Sequence, residues 1–168
     1  IIRLSRHIKY DIEKFAFTEP ERYWHYLHHL IPKNPFLVAA LDIAAWDLYG
    51  KLRRQPLYKI WGLDPSKSPL TDFTIGIDTT EKMVAKMKAT PWPIYKIKVG
   101  TPDDVERVAA LRQHTDAVFR VDANAGWTLE EATHKIPLLK ELGVELVEQP
   151  LAKDNWDGMK SLMAVSPL

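Results

Sequence analysis

The 168-residue sequence contains no cysteine. This absence excludes disulfide bonds, metal sites built from thiolates and a cysteine nucleophile. Proteins of the reducing cytoplasm rarely contain disulfides, and we expect this protein to be cytoplasmic. Any catalytic or metal-binding chemistry must therefore use oxygen- and nitrogen-bearing side chains.

The sequence also has almost no excess of charge of one sign, because it contains 23 Lys and Arg and 22 Asp and Glu, for a formal net charge of +1. Nucleic acids and anionic membranes attract proteins with a clustered excess of Lys and Arg. The sequence also lacks the run of about 18 apolar residues that a membrane-spanning helix requires. We therefore predict neither a nucleic-acid partner nor a membrane partner.

The first third of the sequence has a helical pattern. Asn34 followed by Pro35 is typical of a helix start, because proline at the first helical position gives up only an N–H that lacks an intrahelical partner. Apolar residues then recur at three- and four-residue steps over 36–48, which predicts an amphipathic helix. Gly50 is well placed to end this helix.

The segment 61–69 combines proline, glycine and serine, which is typical of a linker. We therefore predict one domain at 1–65 and another at 70–168. The second contains short apolar runs, each followed by a segment of helical periodicity. The runs lie at 73–77, 94–99, 117–121 and 144–147. Strands and helices that alternate at this spacing predict βαβ units and a parallel sheet, an α/β fold.

Helix starts can be predicted after the second and third runs. Thr101 is expected to cap a helix that has Pro102 at its first position. Thr128 and Glu131 have the spacing of a capping box, in which each side chain bonds the backbone N–H of the other residue.

Polar residues interrupt the apolar strands near their carboxyl ends, and the first are Lys96 and Lys98. Two residues apart on a strand, their side chains point to the same face. Adjacent ammonium groups repel, so the pKa of one lysine is expected to fall toward the range of a general base. The alternative is an edge strand whose lysines prevent further strand pairing.

Each of the next two strands ends in a carboxylate. Asp122 ends the third strand and is followed two residues later by Asn124, and Glu148 ends the fourth strand. The carboxyl ends of parallel strands form the edge at which α/β folds build their active sites. Oxygen ligands without His or Cys suit a hard cation such as Mg²⁺, and a nearby lysine suits proton removal next to a carboxylate. The alternative is that Asp and Asn are only turn residues at strand exits.

The same residues carry a resemblance to a known family. The sequence has Lys-x-Lys at 96–98, Asp-Ala-Asn-x-Gly-Trp at 122–127, Glu-Gln-Pro-Leu at 148–151 and Leu-Asp-Ile-Ala-Ala-Trp-Asp-Leu-Tyr-Gly-Lys at 41–51. In this order the motifs resemble the muconate-lactonizing-enzyme-like subgroup of the enolase superfamily. The resemblance implies that the chain contains the first four strands of an enolase-type (β/α)7β barrel and the helical part of an α+β capping domain.

The resemblance also implies a role for each site residue. Asp122 and Glu148 match two of the three carboxylates that hold Mg²⁺ in the family. Lys98 matches the acid/base at the substrate α-carbon, and Lys96 matches its electrostatic neighbour at the substrate carboxylate. Asn124 is expected to support the metal site without ligating the metal.

Within the subgroup, the segment 71–78 is most similar to the first barrel strand of dipeptide epimerases. Such enzymes invert one α-carbon of a dipeptide through a metal-stabilised enolate, with a lysine on each face. Thr74 and Trp127 are therefore expected to bind the substrate or to support the site. The full-length protein is also expected to be a homo-oligomer. Muconate cycloisomerases and o-succinylbenzoate synthases share much of the pattern and stay open as alternatives, as does a non-catalytic α/β scaffold.

In the family, the third metal carboxylate follows a fifth strand and the second catalytic lysine lies further on. Leu168 comes before the expected position of both, and the sequence begins with Ile1 in place of Met. We therefore expect the chain to be a fragment of a longer enzyme and to be inactive alone as an epimerase.

Overall fold

The structure is a computed structural model that describes residues 2–168. It divides into two compact units, with the boundary between Ser68 and Pro69. Each unit has a hydrophobic core of its own. No helix among the described residues has the length and apolar character needed to cross a bilayer.

The first unit, which ends at Ser68, is helical. Its helices surround a core that includes the fully buried Leu27, with Tyr23, Leu37 and Val38 also buried. The helices are α1 (Ile2–His7), α2 (Lys9–Lys14), α3 (Pro20–Leu30), α4 (Pro35–Arg53) and α5 (Leu57–Ile60), followed by a 3₁₀ turn at Pro65–Lys67.

Helix α4 begins where the sequence predicts but ends later. Pro35 is its first residue, although the side chain of Asn34 makes no capping hydrogen bond. The prediction that Gly50 ends the helix is wrong, because the helix continues and Arg54 takes the left-handed conformation with a φ of 51°. A Cβ at Gly50 would lie 3.1 Å from the carbonyl oxygen of Gln55. Glycine at this position therefore lets the chain that follows α4 pack closely against the helix.

The second unit alternates strands and helices, and its strands form one parallel sheet in the order β1-β2-β3-β4. The strands are β1 (Phe73–Ile75), β2 (Ile94–Lys98), β3 (Val118–Asp122) and β4 (Val144–Glu148). The helices are α6 (Thr80–Ala89), α7 (Asp104–Arg112), α8 (Leu129–Glu141) and α9 (Trp156–Met163). The predicted α/β fold with a parallel sheet is therefore confirmed.

The two faces of the sheet differ in polarity. Ile75, Ile97 and Val121 are paired in register and are fully buried together with residues of α6, α7 and α8. The other face is mainly polar, and its rows of paired residues are Thr74, Lys96 and Arg120, then Lys98, Asp122 and Glu148. The second of these rows lies at the carboxyl ends of the strands.

The start of α7 differs from the prediction, whereas the start of α8 agrees with it. The predicted cap at Thr101 is wrong, because α7 begins at Asp104. Thr101 instead donates its backbone N–H and its hydroxyl to the buried Asp104 carboxylate. Helix α8 has the predicted capping box, in which Thr128 and Glu131 each bond the backbone N–H of the other residue.

Candidate active site

The lysines of β2 converge on a single carboxylate oxygen. Lys98 Nζ lies 2.6 Å from Asp122 Oδ2, and Lys96 Nζ lies 3.0 Å from the same oxygen. Strand β2 pairs with β1 on one side and with β3 on the other, so it is an inner strand. The alternative of an edge strand protected by its lysines is therefore excluded.

Glu148 and Asn124 extend this convergence. Lys96 also donates to Glu148 Oε2 at 2.6 Å, and Lys98 donates to Asn124 Oδ1 at 2.8 Å. The strand register explains the arrangement, because Lys98, Asp122 and Glu148 are direct neighbours across β2, β3 and β4. We call Lys96, Lys98, Asp122, Asn124 and Glu148 the strand-end cluster.

Asp122 is the centre of the strand-end cluster and is fully buried. Burial alone raises the pKa of its carboxyl, but hydrogen bonds from Lys98, from Lys96 and from the backbone N–H of Asn124 lower that pKa by more. The pKa therefore lies below its ordinary value, and Asp122 is a carboxylate at neutral pH. Glu148 is more open, with its side chain about half exposed.

The carboxylates around Lys96 act on its pKa. Its pKa is raised above the ordinary value, first by the hydrogen bond to Glu148 and then by that to Asp122. The carboxylates of Glu148 on β4 and Asp122 on β3 stabilise the ammonium form, and this effect outweighs the cost of partial burial. Lys96 is therefore a fixed positive charge in this structure.

The loops that follow β3 and β4 have unusual backbone conformations. Asn124, Ala125 and Gln149 have positive φ angles of 45°, 64° and 43°. Such angles cost residues other than glycine about 1–3 kcal/mol each and cluster at functional sites. The loops hold each other in place, because the N–H of Ala125 donates to the Gln149 carbonyl at 2.8 Å and that of Trp127 donates to the Pro150 carbonyl at 3.1 Å.

Close packing requires glycine at position 126. A Cβ there would lie 2.8 Å from the carbonyl oxygen of Ala123 and 3.1 Å from the Cα of Gly100. Gly100, which follows β2, has a φ of 129°, a conformation that strongly favours glycine. Gly126 and Gly100 therefore let the loops after β2 and β3 touch, which keeps the ends of these strands together.

The carboxylates of Asp122 and Glu148 form part of a candidate metal site. They lie side by side on adjacent strands, and carboxylate oxygens suit a hard cation such as Mg²⁺. Among residues 2–168, no group of three or more His, Asp or Glu side chains is arranged to hold a metal ion. Because the described residues bring together two carboxylates and not three, Asp122 and Glu148 fit a Mg²⁺ site as two of its ligands.

The other predicted site residues lie outside the strand-end cluster. Thr74 is exposed on β1 and pairs in register with Lys96. Trp127 is only 4% exposed, and its indole N–H donates to Asp104 Oδ2 at 2.8 Å. The Trp127 side chain is therefore enclosed and is bonded to the first residue of α7.

Asp104 and Lys135 are candidate functional residues that no motif in the sequence indicates. Both are buried, and Lys135 Nζ lies 2.9 Å from Asp104 Oδ2. They belong to different helices and are 31 residues apart, so no local spacing relates them. One signal could have found Lys135, because it is a charged residue on the buried face of α8, between Ala132 and Leu139 at helical spacing.

The part of the chain that contains the strand-end cluster matches a known family. The sequence model of the family described as enolase C-terminal domain-like matches residues 78–168, which is more than half of the chain. The matched range begins after β1 and includes β2, β3 and β4.

Individual proteins agree with this match. The chain is 53% identical over 156 residues to an L-Ala-D/L-amino acid epimerase of a Maribacter species, covering 93% of this chain and 46% of that protein. It resembles the crystal structure of a dipeptide epimerase from Cytophaga hutchinsonii complexed with Mg and the dipeptide D-Ala-L-Val, with a TM-score of 0.66 and 30% identity over 76% of this chain and 36% of that chain. A muconate cycloisomerase from Pseudomonas fluorescens matches with a TM-score of 0.77 and 26% identity, over 96% of this chain and 50% of that chain.

The chain spans about half the length of the curated relatives it matches. The resemblance to the enolase superfamily, and within it to dipeptide epimerases, is confirmed. With a parallel sheet, a matched family range and related solved structures in agreement, the chain belongs to the enolase C-terminal domain-like family.

Proposed function

We propose that the whole protein that carries this chain is a Mg²⁺-dependent dipeptide epimerase, an isomerase that inverts the α-carbon of one residue of a dipeptide. The observation that carries the proposal is the convergence of Lys96 and Lys98 on Asp122, beside Glu148, at the ends of parallel strands. Removal of a proton next to a carboxylate requires a basic group beside a source of positive charge. The 53% identity to an L-Ala-D/L-amino acid epimerase supports a dipeptide as the substrate.

Asp122 and Glu148 would hold the Mg²⁺, because both present carboxylate oxygens from neighbouring register positions. A bound Mg²⁺ supplies positive charge that stabilises the negative charge developing on the substrate carboxylate. The remaining ligands would be water and groups outside residues 2–168. In the same proposal, residues 1–65 belong to a capping domain and residues 70–168 belong to a (β/α)7β barrel.

Lys98 is the better candidate for the proton transfer. Its Nζ bonds one carboxylate and one neutral amide, and 30% of its side chain is exposed. Lys96 bonds both carboxylates and is 21% exposed. We therefore assign removal of the α-proton to Lys98, oriented by Asn124, and assign to the Lys96 ammonium the task of balancing the charge of the substrate carboxylate.

Inversion needs a proton donor on the face of the α-carbon opposite the base. Lys96 and Lys98 extend from one strand toward one carboxylate, so together they serve a single face. We therefore propose that the 168-residue chain by itself does not epimerise dipeptides. Polarimetry of a dipeptide solution incubated with the isolated chain checks this point, and a change in rotation would contradict it.

Assays of the whole protein with dipeptides that contain L-Ala test the proposed function. We expect chiral chromatography to show epimerisation in the presence of Mg²⁺, its loss after treatment with EDTA and its recovery when Mg²⁺ is restored. Asp122→Asn keeps the side-chain shape but removes the charge, and kcat/KM should fall by roughly 100-fold or more. The matched control is Asp116→Asn at an exposed position, which should behave like the wild type.

Muconate is the second substrate in the same assay, because a muconate cycloisomerase shares the fold. Turnover of muconate without turnover of any dipeptide would replace the proposed function with a cycloisomerase. Binding of Mg²⁺ without turnover of either substrate would favour a non-catalytic scaffold.

A further inference from the structure

A buried charge pair lies behind the strand-end cluster. Asp104, the first residue of α7, accepts hydrogen bonds from the backbone N–H groups of Gly100 and Thr101 at 3.0 and 2.9 Å. The ammonium of Lys135 in α8 and the indole N–H of Trp127 donate to Asp104 Oδ2 at 2.9 and 2.8 Å. We call Asp104, Lys135 and Trp127 the buried triad.

The buried triad ties three separate parts of the chain together. Lys135 Nζ also donates to the carbonyl of Thr101 at 2.7 Å and lies 5.2 Å from the centre of the Trp127 ring. Burial raises the pKa of Asp104, but hydrogen bonds from Lys135, Thr101 and Trp127 lower it by more, so the carboxyl is ionised. The loop after β2, the loop after β3 and helix α8 therefore share one charged network.

The loops that the buried triad holds are continuous with the site. Gly100 lies two residues after Lys98, and Trp127 lies five residues after Asp122. The strand ends are also joined directly, because the N–H of Val99 donates to the Asp122 carbonyl at 3.0 Å. A displacement of either loop would therefore move Lys98 relative to Asp122, whose polar atoms lie 2.6 Å apart.

Stability alone does not account for a buried ion pair at this place. Packed apolar side chains of similar volume often stabilise a fold as well as a buried ion pair does, because the loss of hydration offsets the attraction of the charges. Asp104 and Lys135 add directional, charge-assisted hydrogen bonds, which fix backbone groups at set distances. Since the side chains of the buried triad are enclosed, they act on the site through the loops and not on a substrate.

We propose that Asp104, Lys135 and Trp127 are positioning residues for the α-proton transfer, a role that rests on the proposed function. They hold the loops after β2 and β3 so that Lys98 and Asp122 keep their relative places. Their loss should therefore lower kcat and leave KM almost unchanged.

Steady-state kinetics of the whole protein test this role with Lys135→Met, which removes the ammonium and keeps most of the side-chain volume. We expect kcat to fall by roughly 10- to 100-fold, because small displacements of catalytic groups have effects of this size. KM should stay within about threefold, since the triad does not contact substrate.

The matched control is Arg112→Met, at the opposite ends of the strands. Arg112 donates to the carbonyls of Ala117 and Leu142, which precede β3 and β4. This variant should lose thermal stability and keep kcat within about twofold, because that end of the sheet serves stability. If Lys135→Met fails to fold, Trp127→Phe removes the indole N–H together with the five-membered ring and keeps an aromatic side chain, and it should lower kcat by about three- to tenfold. The inference would be overturned if the folded triad variant, Lys135→Met or Trp127→Phe, had a kcat no lower than that of Arg112→Met.

Hydrogen exchange separates this role from the proposed function. The N–H groups of Gly126 and Trp127 donate to nearby backbone carbonyls, so their exchange measures how firmly the loop after β3 is held. Lys135→Met should speed this exchange by about tenfold or more relative to Arg112→Met. One outcome is that the wild type does not epimerise dipeptides while Lys135→Met still speeds the exchange. The proposed function would then be wrong, and the triad would keep its role of holding the loops. Unchanged exchange in Lys135→Met would overturn the inference even in an active enzyme.

Discussion

Replacement of Gly126 with alanine is expected to destabilise the second unit by about 2 kcal/mol. The added Cβ would lie 2.8 Å from the Ala123 carbonyl oxygen and 3.1 Å from the Gly100 Cα, and both are backbone atoms that cannot rotate away. Relief requires movement of the Ala123 carbonyl, which accepts the N–H of Gly126 at 2.8 Å. Strain of this kind costs about 1–3 kcal/mol, and the weakened hydrogen bond costs about 1 kcal/mol. Alanine also restricts the unfolded chain, which offsets about 0.4–1 kcal/mol of this loss of stability.

Thermal unfolding of the 168-residue chain, followed by circular dichroism, measures this change. For a chain of this size, 1 kcal/mol corresponds to about 2–4 °C in Tm, so Gly126→Ala should lower Tm by roughly 4–8 °C. Gly76→Ala is the matched control, because a Cβ there meets no atom within 4 Å, and its Tm should stay the same or rise slightly. Equal Tm values for the two variants would refute the reasoning.

The cap of α8 and the buried Asp104 lead to further predictions. Thr128→Ala removes the capping box and should lower the free energy of unfolding by about 1 kcal/mol, whereas Thr133→Ala, which removes a hydroxyl bonded within the helix, should change it little. Chemical denaturation compares the two, and equal losses would contradict the role of the cap. The folded-state pKa of Asp104 is lowered, so its contribution to stability is fully present above the ordinary Asp pKa of about 4 and is lost as the pH falls through the lowered value. The wild type should therefore lose stability more steeply below about pH 4 than Asp104→Asn does, and parallel curves would count against this assignment.

Local patterns in the sequence predict the sheet and the place of the site. Apolar runs that alternate with helical segments require a parallel sheet, because consecutive strands are then joined by crossover helices. The polar residues at the strand ends meet because the strands are in register, which brings Lys98, Asp122 and Glu148 side by side. The residues of the strand-end cluster could therefore be chosen from the sequence alone.

Features set by contacts between distant residues could not be predicted in this way. Gly50 has the character of a helix stop, but its neighbour in space, Gln55, makes it a site of close packing. The pKa of Lys96 rises because its ammonium bonds carboxylates of other strands, and the pattern on one strand does not show these contacts. Asp104 depends on Trp127 and Lys135, which lie 23 and 31 residues away.

Exchange of the substrate α-proton in D₂O tests the central claim, that Lys98 transfers this proton. The whole protein with Mg²⁺ and a dipeptide should incorporate deuterium at one α-carbon, as followed by ¹H NMR. Lys98→Met should slow the exchange by roughly 10²- to 10⁴-fold, whereas Lys88→Met, at an exposed position of α6, should not change it. Exchange by Lys98→Met at the same rate as by Lys88→Met would contradict the account.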